Sequence, residues 1–274
     1  MSAGPTRGGR PGAWAHPYLD SPTGFVALAH RGFSLDGLEN SLAAFAAARE
    51  LGFRYVETDA HATSDGVAVA LHDASLDRTT DGTGLVADQP WERVRTARIG
   101  GVEPVPLLED VLGTWPDLRV NIDVKAASAV GPVARAIERT RAHERVCIAS
   151  FSRVRRRRTV ALLSRPVATS AGTSEVVTFL LAARAGAPSS PFGALAAWAL
   201  RDVDCLQVPV AEGPVRVVDA RTVAAAHAAG RQVHVWTVND PVEMSRLLDL
   251  GVDGLVTDRA DLLREVLVSR GVWT

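Results

Sequence analysis

The chain has 274 residues, 47% of them apolar, enough to bury the core of one enzyme-sized domain or barrel. Its 30 basic residues nearly balance 31 acidic ones, and a formal charge of -1 provides no field for holding a polyanion, so no nucleic-acid partner is expected. No run reaches the roughly 20 apolar residues of a spanning helix, and the opening MSAGPTRGGRPG lacks the apolar segment of a secretory signal, so a cytoplasmic protein with no transmembrane segment is expected.

Residues 1–22, rich in Gly, Pro and Ser, read as a flexible N-terminal arm, and residues 23–274 as a single barrel domain. From Phe25 onward, β-rich runs alternate with longer stretches of helical period. The runs are FVALAH, RYVETDAHA, RVNIDVK, RVCIASF, PVATS, DCLQVPV, QVHVWTV and DGLVTD. Helices are expected at 42–51, 130–141, 153–163, 220–229, 242–248 and 262–268. Eight such runs with helices between them match the size of an α/β (β/α)8 TIM barrel.

After the second run, VAVALHD follows across only Thr63-Ser64-Asp65-Gly66, too short for a helical crossover, and Asp-Gly marks a tight β-hairpin. With Asp65 and Gly66 as a two-residue turn, His61 falls opposite Ala70 and Asp59 opposite His72. Residues 76–106 then read as an insertion that shapes access to the barrel mouth, followed by a helix near 107–112. Farther on, VVTFLLAARAGAPSSPFGALAAWAL is broken by Arg184 and a Pro/Ser turn. It reads as two short helices, either an apolar lid or ordinary outer-layer packing.

Glu57 and Asp59 are two apart on a strand and share a face, where two close carboxylates call for a divalent cation or belong to a solvated edge. In RVNIDVK, Asn121, Asp123 and Lys125 also share a face. Asp123 either supplies a third carboxylate to that cation or pairs with Lys125. His30 ends the first strand beside Arg31, whose fork suits phosphate oxygens, and histidine titrates near neutral pH as acid or base. His61 and His234 each share a face with pocket candidates. His16, His143 and His227 are expected on the surface, the arginines of 153–158 on a solvated helix face, and Cys147 and Cys205 as buried thiols.

The run AHRGFSLDGLENSLAAFAAARELGFRYVETDAHATSDGVAVALHDASLDRTTDGTG resembles the signature of glycerophosphodiester phosphodiesterases, with its HRG, EN, ExD, DG, HD and RTT elements. NIDVK, SF at Ser150-Phe151, VWTVN and GVDGLVTD extend the resemblance from Ala27 to Asp258. Asp123 stands where the family commonly has Glu, and Ser41 where Thr is common.

The resemblance implies a metal-dependent hydrolase that converts a glycerophosphodiester, its small-molecule partner, to glycerol 3-phosphate and an alcohol. His30 and His72 would be the acid/base pair, and Glu57, Asp59 and Asp123 the ligands of one divalent ion, Mg²⁺ or Ca²⁺. Arg31 and Lys125 would hold the phosphate and Trp236 would line the glycerol pocket. Glu39 and Asn40 would support the loop beside the catalytic histidine. The alternatives are a lysophospholipase D acting on lyso-lipids, a non-catalytic phosphodiester-binding barrel, and an unrelated barrel enzyme such as a sugar-phosphate isomerase.

Overall fold

The computed structural model describes residues 16–273. Each expected β run supplies one parallel strand of a barrel: β1 Val26–Ala29, β2 Tyr55–Ala62, β4 Arg119–Val124, β5 Val146–Ala149, β6 Ala168–Thr169, β7 Cys205–Pro209, β8 Gln232–Trp236 and β9 Gly254–Thr257. The short β3, Ala68–Ala70, pairs antiparallel with β2. The barrel order is β6-β5-β4-β2-β1-β9-β8-β7, and an isolated parallel bridge between Ser170 and Cys205 joins the two ends. The outer layer is α1 Leu42–Glu50, α2 Leu108–Thr114, α3 Val130–Thr140, α4 Arg153–Val160, α5 Thr173–Ala185, α6 Pro191–Ala199, α7 Ala220–Ala228, α8 Pro241–Leu250 and α9 Ala260–Ser269. Side-chain caps start several of these helices: Ser41 accepts from Ala44 N on α1, Ser152 from Arg155 N on α4, and Asp219 from Thr222 N on α7.

Because helices cover the sheet outside, the outward faces of the strands are apolar. The interior is layered. At the N-terminal end, Val26, Leu28, Tyr55, Cys147, Ala168, Cys205 and Val256 form an apolar floor closed by Tyr18 and Leu19. Of the expected arm, residues 1–15 lie outside the described ones, and the part from His16 on is packed. Tyr55 Oη donates to Tyr18 O at 2.8 Å, Gln232 Nε2 to Leu19 O at 3.1 Å and Arg119 Nη1 to Asp20 O at 2.7 Å. Above this floor the interior turns polar. The β2–β4 register sets Glu57 level with Asn121 and Asp59 level with Asp123.

The hairpin exists but its register is one residue from expectation, with Ala60 opposite Ala70 and His61 opposite Val69. The loop has three residues rather than two: Thr63 N bonds Val67 O at 3.0 Å, and Gly66 takes φ +80°. The Asp65 side chain accepts from Thr63 Oγ1 at 2.5 Å and from Trp91 N at 3.0 Å, which anchors the insertion to the hairpin. The insertion carries its own small core, with Leu76, Val86, Val94 and Ile99 buried against Val69 and Leu71.

Three surface expectations are corrected. Arg156 is only 2% exposed, donating to Glu175 at 2.7 Å and to Asp202 O at 2.8 Å. His143 is buried between Glu138 and Arg165, 3.1 Å from each. His16 is buried as the cap that accepts from Tyr18 N. In each case a polar partner distant in sequence, or a local cap, satisfies the group that burial strips of water.

Candidate active site

A cavity of about 570 Å³ opens at the C-terminal ends of the strands and is lined by both His30 and His72. Arg31, Glu57, Asp59, Asn121, Asp123, Lys125 and Trp236 line it as well, so the catalytic, phosphate, acidic and aromatic candidates share one space. This is the face on which barrel enzymes place their chemistry.

The HRG turn is built by conformation. Arg31 and Gly32 both have positive φ, 55° and 84°, and the backbone of Ala44 lies against Gly32 so closely that a Cβ there would fall 2.6 Å from the Ala44 carbonyl carbon. Only glycine fits. Arg31 then points its guanidinium inward. Nε lies 3.0 Å from Asp59 Oδ2 as a close ion pair without hydrogen-bond alignment, and Nη1 donates to Glu39 at 2.9 Å.

Asn40, also at positive φ, ties this turn to β2. Its backbone N donates to Arg31 O, its Nδ2 donates to Asp59 Oδ2 at 3.0 Å, and its Oδ1 accepts from Thr58 Oγ1 at 2.7 Å. The EN element therefore reaches the cavity through Arg31 and Asp59.

Each histidine carries a carboxylate on Nδ1: Asp258 Oδ1 on His30 and Asp73 Oδ1 on His72, both at 2.6 Å. Burial opposes protonation of His30, but the Asp258 hydrogen bond and the Glu57 charge outweigh it and hold its pKa above the ordinary value. Asp258 is itself fixed by Asn239 Nδ2 at 2.8 Å, and Asp73 by Arg78. Asp258, Asn239, Asp73 and Arg78 were not singled out from sequence as site residues, although they lie in the TD, VN, HD and RTT elements; a carboxylate following a histidine, or ending the last strand, was the available signal.

The acids are not equivalent. Lys125, the only lysine of the chain, lies 2.8 Å from Asp59 Oδ1 and 2.7 Å from Asp123 Oδ2. Burial alone would raise Asp59, yet the charges of Lys125 and Arg31 hold it below the usual carboxylate range. Glu57 has His30 Nε2 at 3.8 Å and the charge of Lys125 to favour its ionised form, but burial followed by repulsion from Asp59 outweighs them and pushes its carboxyl up to about 8. Asp123 Oδ1 is buried and has no hydrogen-bond partner among the described residues.

Buried carboxylate oxygens short of positive charge suit a hard cation that prefers oxygen ligands, so the donor chemistry fits a divalent metal. The side chains as they stand are not convergent: among the described residues no three acidic or histidine groups form a ligand cluster. Lys125 instead bridges two of the carboxylates, so the pairing of Asp123 with Lys125, the alternative to its role as a metal ligand, is present.

Below this layer Gln207 Nε2 donates to Asn121 Oδ1 at 3.1 Å, and His234 bonds Gln232 at 2.9 Å. His234 is fully buried and His61 Nε2 bonds His72 O at 3.1 Å, and neither lines the cavity. One wall is apolar. Trp236 meets Phe151 edge-on at 5.9 Å, and Val176, Val177 and Leu180 of α5 continue it. Of the two readings of that segment, α5 thus borders the cavity while α6 packs outside it.

The sequence pattern of the glycerophosphoryl diester phosphodiesterase family matches residues 30–262, and the chain belongs to that family. It is 51% identical over 253 residues to the Mycobacterium tuberculosis protein named "Probable glycerophosphodiester phosphodiesterase 2", covering 91% of this chain and 93% of that one. Among solved structures, it is similar to a glycerophosphodiester phosphodiesterase from Agrobacterium tumefaciens, with TM-score 0.70 and 22% identity over 89% of this chain and 99% of the other. It is also similar to an Oleispira antarctica phosphodiesterase in complex with the product sn-glycerol-3-phosphate, with TM-score 0.70 and 21% identity over 88% of this chain and 96% of the other. These structural likenesses concern the fold. No helix among the described residues is long and apolar enough to cross a membrane.

Proposed function

We propose that the chain hydrolyses glycerophosphodiesters to glycerol 3-phosphate and an alcohol, with His30 and His72 as its acid and base. The observation that carries this reading is the pair of imidazoles on one cavity, each with Nδ1 on a carboxylate. Such a partner fixes the tautomer and orientation and leaves Nε2 for proton transfer. One histidine takes the proton of the nucleophile and the other protonates the leaving alkoxide; water as nucleophile gives glycerol 3-phosphate directly, whereas the glycerol 2-hydroxyl gives a cyclic phosphate that water then opens with the two roles exchanged.

Arg31 and Lys125 meet the phosphate oxygens in this reading and neutralise the charge that grows there. Trp236 lines the glycerol end, while Glu39 and Asn40 hold Arg31 and Asp59 in place. The reading includes one divalent cation, Mg²⁺ or Ca²⁺, held by Glu57, Asp59 and Asp123, and Asp123 Oδ1, without a hydrogen-bond partner among the described residues, supports it. When bound, that ion would supply positive charge to the phosphoryl oxygens. The free, buried thiols of Cys147 and Cys205 support residence in a reducing compartment such as the cytoplasm.

The test is release of glycerol 3-phosphate from sn-glycero-3-phosphocholine with Mg²⁺ or Ca²⁺, before and after chelation. Release that chelation abolishes and the cation restores is expected. Tight binding of the diester with no turnover under either cation would make the chain a phosphodiester-binding barrel instead. The wall of Phe151, Val176, Val177, Leu180 and Trp236 favours a second reading, a lysophospholipase D acting on lyso-lipids. Turnover of a lysophosphatidylcholine above that of the soluble diester would select it.

A further inference from the structure

The 16 residues from 185 to 200, AGAPSSPFGALAAWAL, carry no charge, and Arg184 and Arg201 bracket them. Helix α6 within this stretch inverts the usual arrangement of an outer helix, in which large apolar side chains face the core and polar ones face water. Here the small residues face in. Ala196 and Ala199 are buried, and Gly193 lies so close to Pro188 that an added Cβ would fall 1.9 Å from the Pro188 carbonyl oxygen. That contact fixes the rotation of the helix. Phe192, Leu195 and Trp198, spaced three apart on the outer face, are 48%, 43% and 53% exposed.

Exposed apolar side chains grouped on one helix face suit an interaction surface. The C-terminal end of the helix adds positive charge. The Arg201 guanidinium stacks 4.2 Å from the Trp198 ring centroid and donates to Trp198 O, and Arg231 donates to Leu200 O and Arg201 O. Of the acids at this end, Asp202 is paired with Arg153 at 3.4 Å and lies 3.8 Å from Arg201 Nε, and Asp204 accepts from Thr169 N at 2.8 Å.

We propose that the outer face of α6 docks on an anionic membrane surface. Aromatic and aliphatic side chains on a helix lying in the interface, with an indole flanked by arginine, match the boundary between acyl chains and anionic headgroups. A second copy of the chain is a poorer occupant. Nine helical residues span only about 13 Å, and a strip of that length falls far short of the roughly 800 Å² per partner of a stable interface. None of the three side chains lines the catalytic cavity, so the proposal stands apart from the chemistry there.

The test uses the full chain and the variant Phe192→Ser/Leu195→Ser/Trp198→Ser, sedimented with vesicles of phosphatidylcholine alone or of equal parts phosphatidylcholine and phosphatidylglycerol. Turnover of soluble glycerophosphocholine, or the thermal unfolding temperature if the chain has no turnover, confirms that the variant is folded. Binding of the wild-type chain to the anionic vesicles, weakened roughly tenfold or more in the triple variant and by added salt, is expected. Absence of binding to either vesicle, or equal binding by the variant, overturns the proposal. A wild-type dimer that the substitutions convert to a monomer also overturns it, by assigning the face to a second copy.

Discussion

Arg78 donates to both carboxylate oxygens of Glu39, at 2.7 and 3.1 Å. The same guanidinium reaches Asp73 through Nε at 2.5 Å and Nη2 at 3.2 Å. Glu39 holds Arg31, and Asp73 holds His72, so one arginine of the insertion joins the loop after β1 to the loop that carries the second histidine. Both acids are held below the usual carboxylate range: Asp73 chiefly by the Arg78 hydrogen bond, and Glu39 by Arg78 and Arg31 against the effect of burial.

Replacing Arg78 with Ala should therefore lower kcat by roughly 10-fold to 100-fold, as loss of an outer orienting partner does elsewhere. Arg78→Lys should recover only part, because a single ammonium cannot make both two-pronged contacts. Steady-state kinetics on a soluble diester would check this, and a kcat of Arg78→Ala equal to wild type would show that the link positions nothing.

The Arg156–Glu175 pair should behave as a buried ion pair. Arg156→Ala leaves Glu175 with only the half-exposed Arg153, at 3.2 Å, as its counter-charge and should cost about 1.5–3 kcal/mol of stability. Chemical denaturation would measure it, and a loss within the few tenths of a surface pair would contradict the burial of both partners.

Gly32→Ala combines a positive φ with a clash against the Ala44 backbone, so it should cost roughly 2 kcal/mol or more and shift the Arg31 turn. Activity should fall more than stability alone explains. Unfolding curves and kcat/KM on the same variant separate the two effects.

His227 donates to Asp253 at 2.8 Å, and this bond holds its pKa above the ordinary 6.5 even though burial works the other way. A raised folded pKa means the stabilisation is complete below the unfolded value and disappears as pH rises through the folded one. The unfolding temperature of His227→Ala should thus lie below wild type near pH 5.5 and approach it near pH 9. A deficit that grows with pH would reverse the assignment.

The barrel was legible because strand and helix periods differ, and each of the β runs from FVALAH to DGLVTD stands between turn residues and a helical stretch. Register was less legible. Asp65-Gly66 looks like a two-residue turn, and only the Thr63–Val67 pairing, with Gly66 in the left-handed region, reveals the third loop residue. The site residues gathered as expected because alternation on β2 and β4 puts Glu57, Asp59, Asn121 and Asp123 on the inner face. What stayed hidden depends on tertiary contact. Arg156 finds Glu175 and Asp202 only when α5 and the chain beyond α6 close over α4, and Asp258 reaches His30 only because β9 lies beside β1.

The central claim is that His30 and His72 act on one phosphodiester from the same cavity. Turnover of sn-glycero-3-phosphocholine by His30→Ala, His72→Ala and the double variant tests it most directly. The account predicts a loss of roughly 10²-fold to 10⁴-fold in each single variant, with binding of glycerol 3-phosphate retained. Wild-type turnover in either single variant would contradict it.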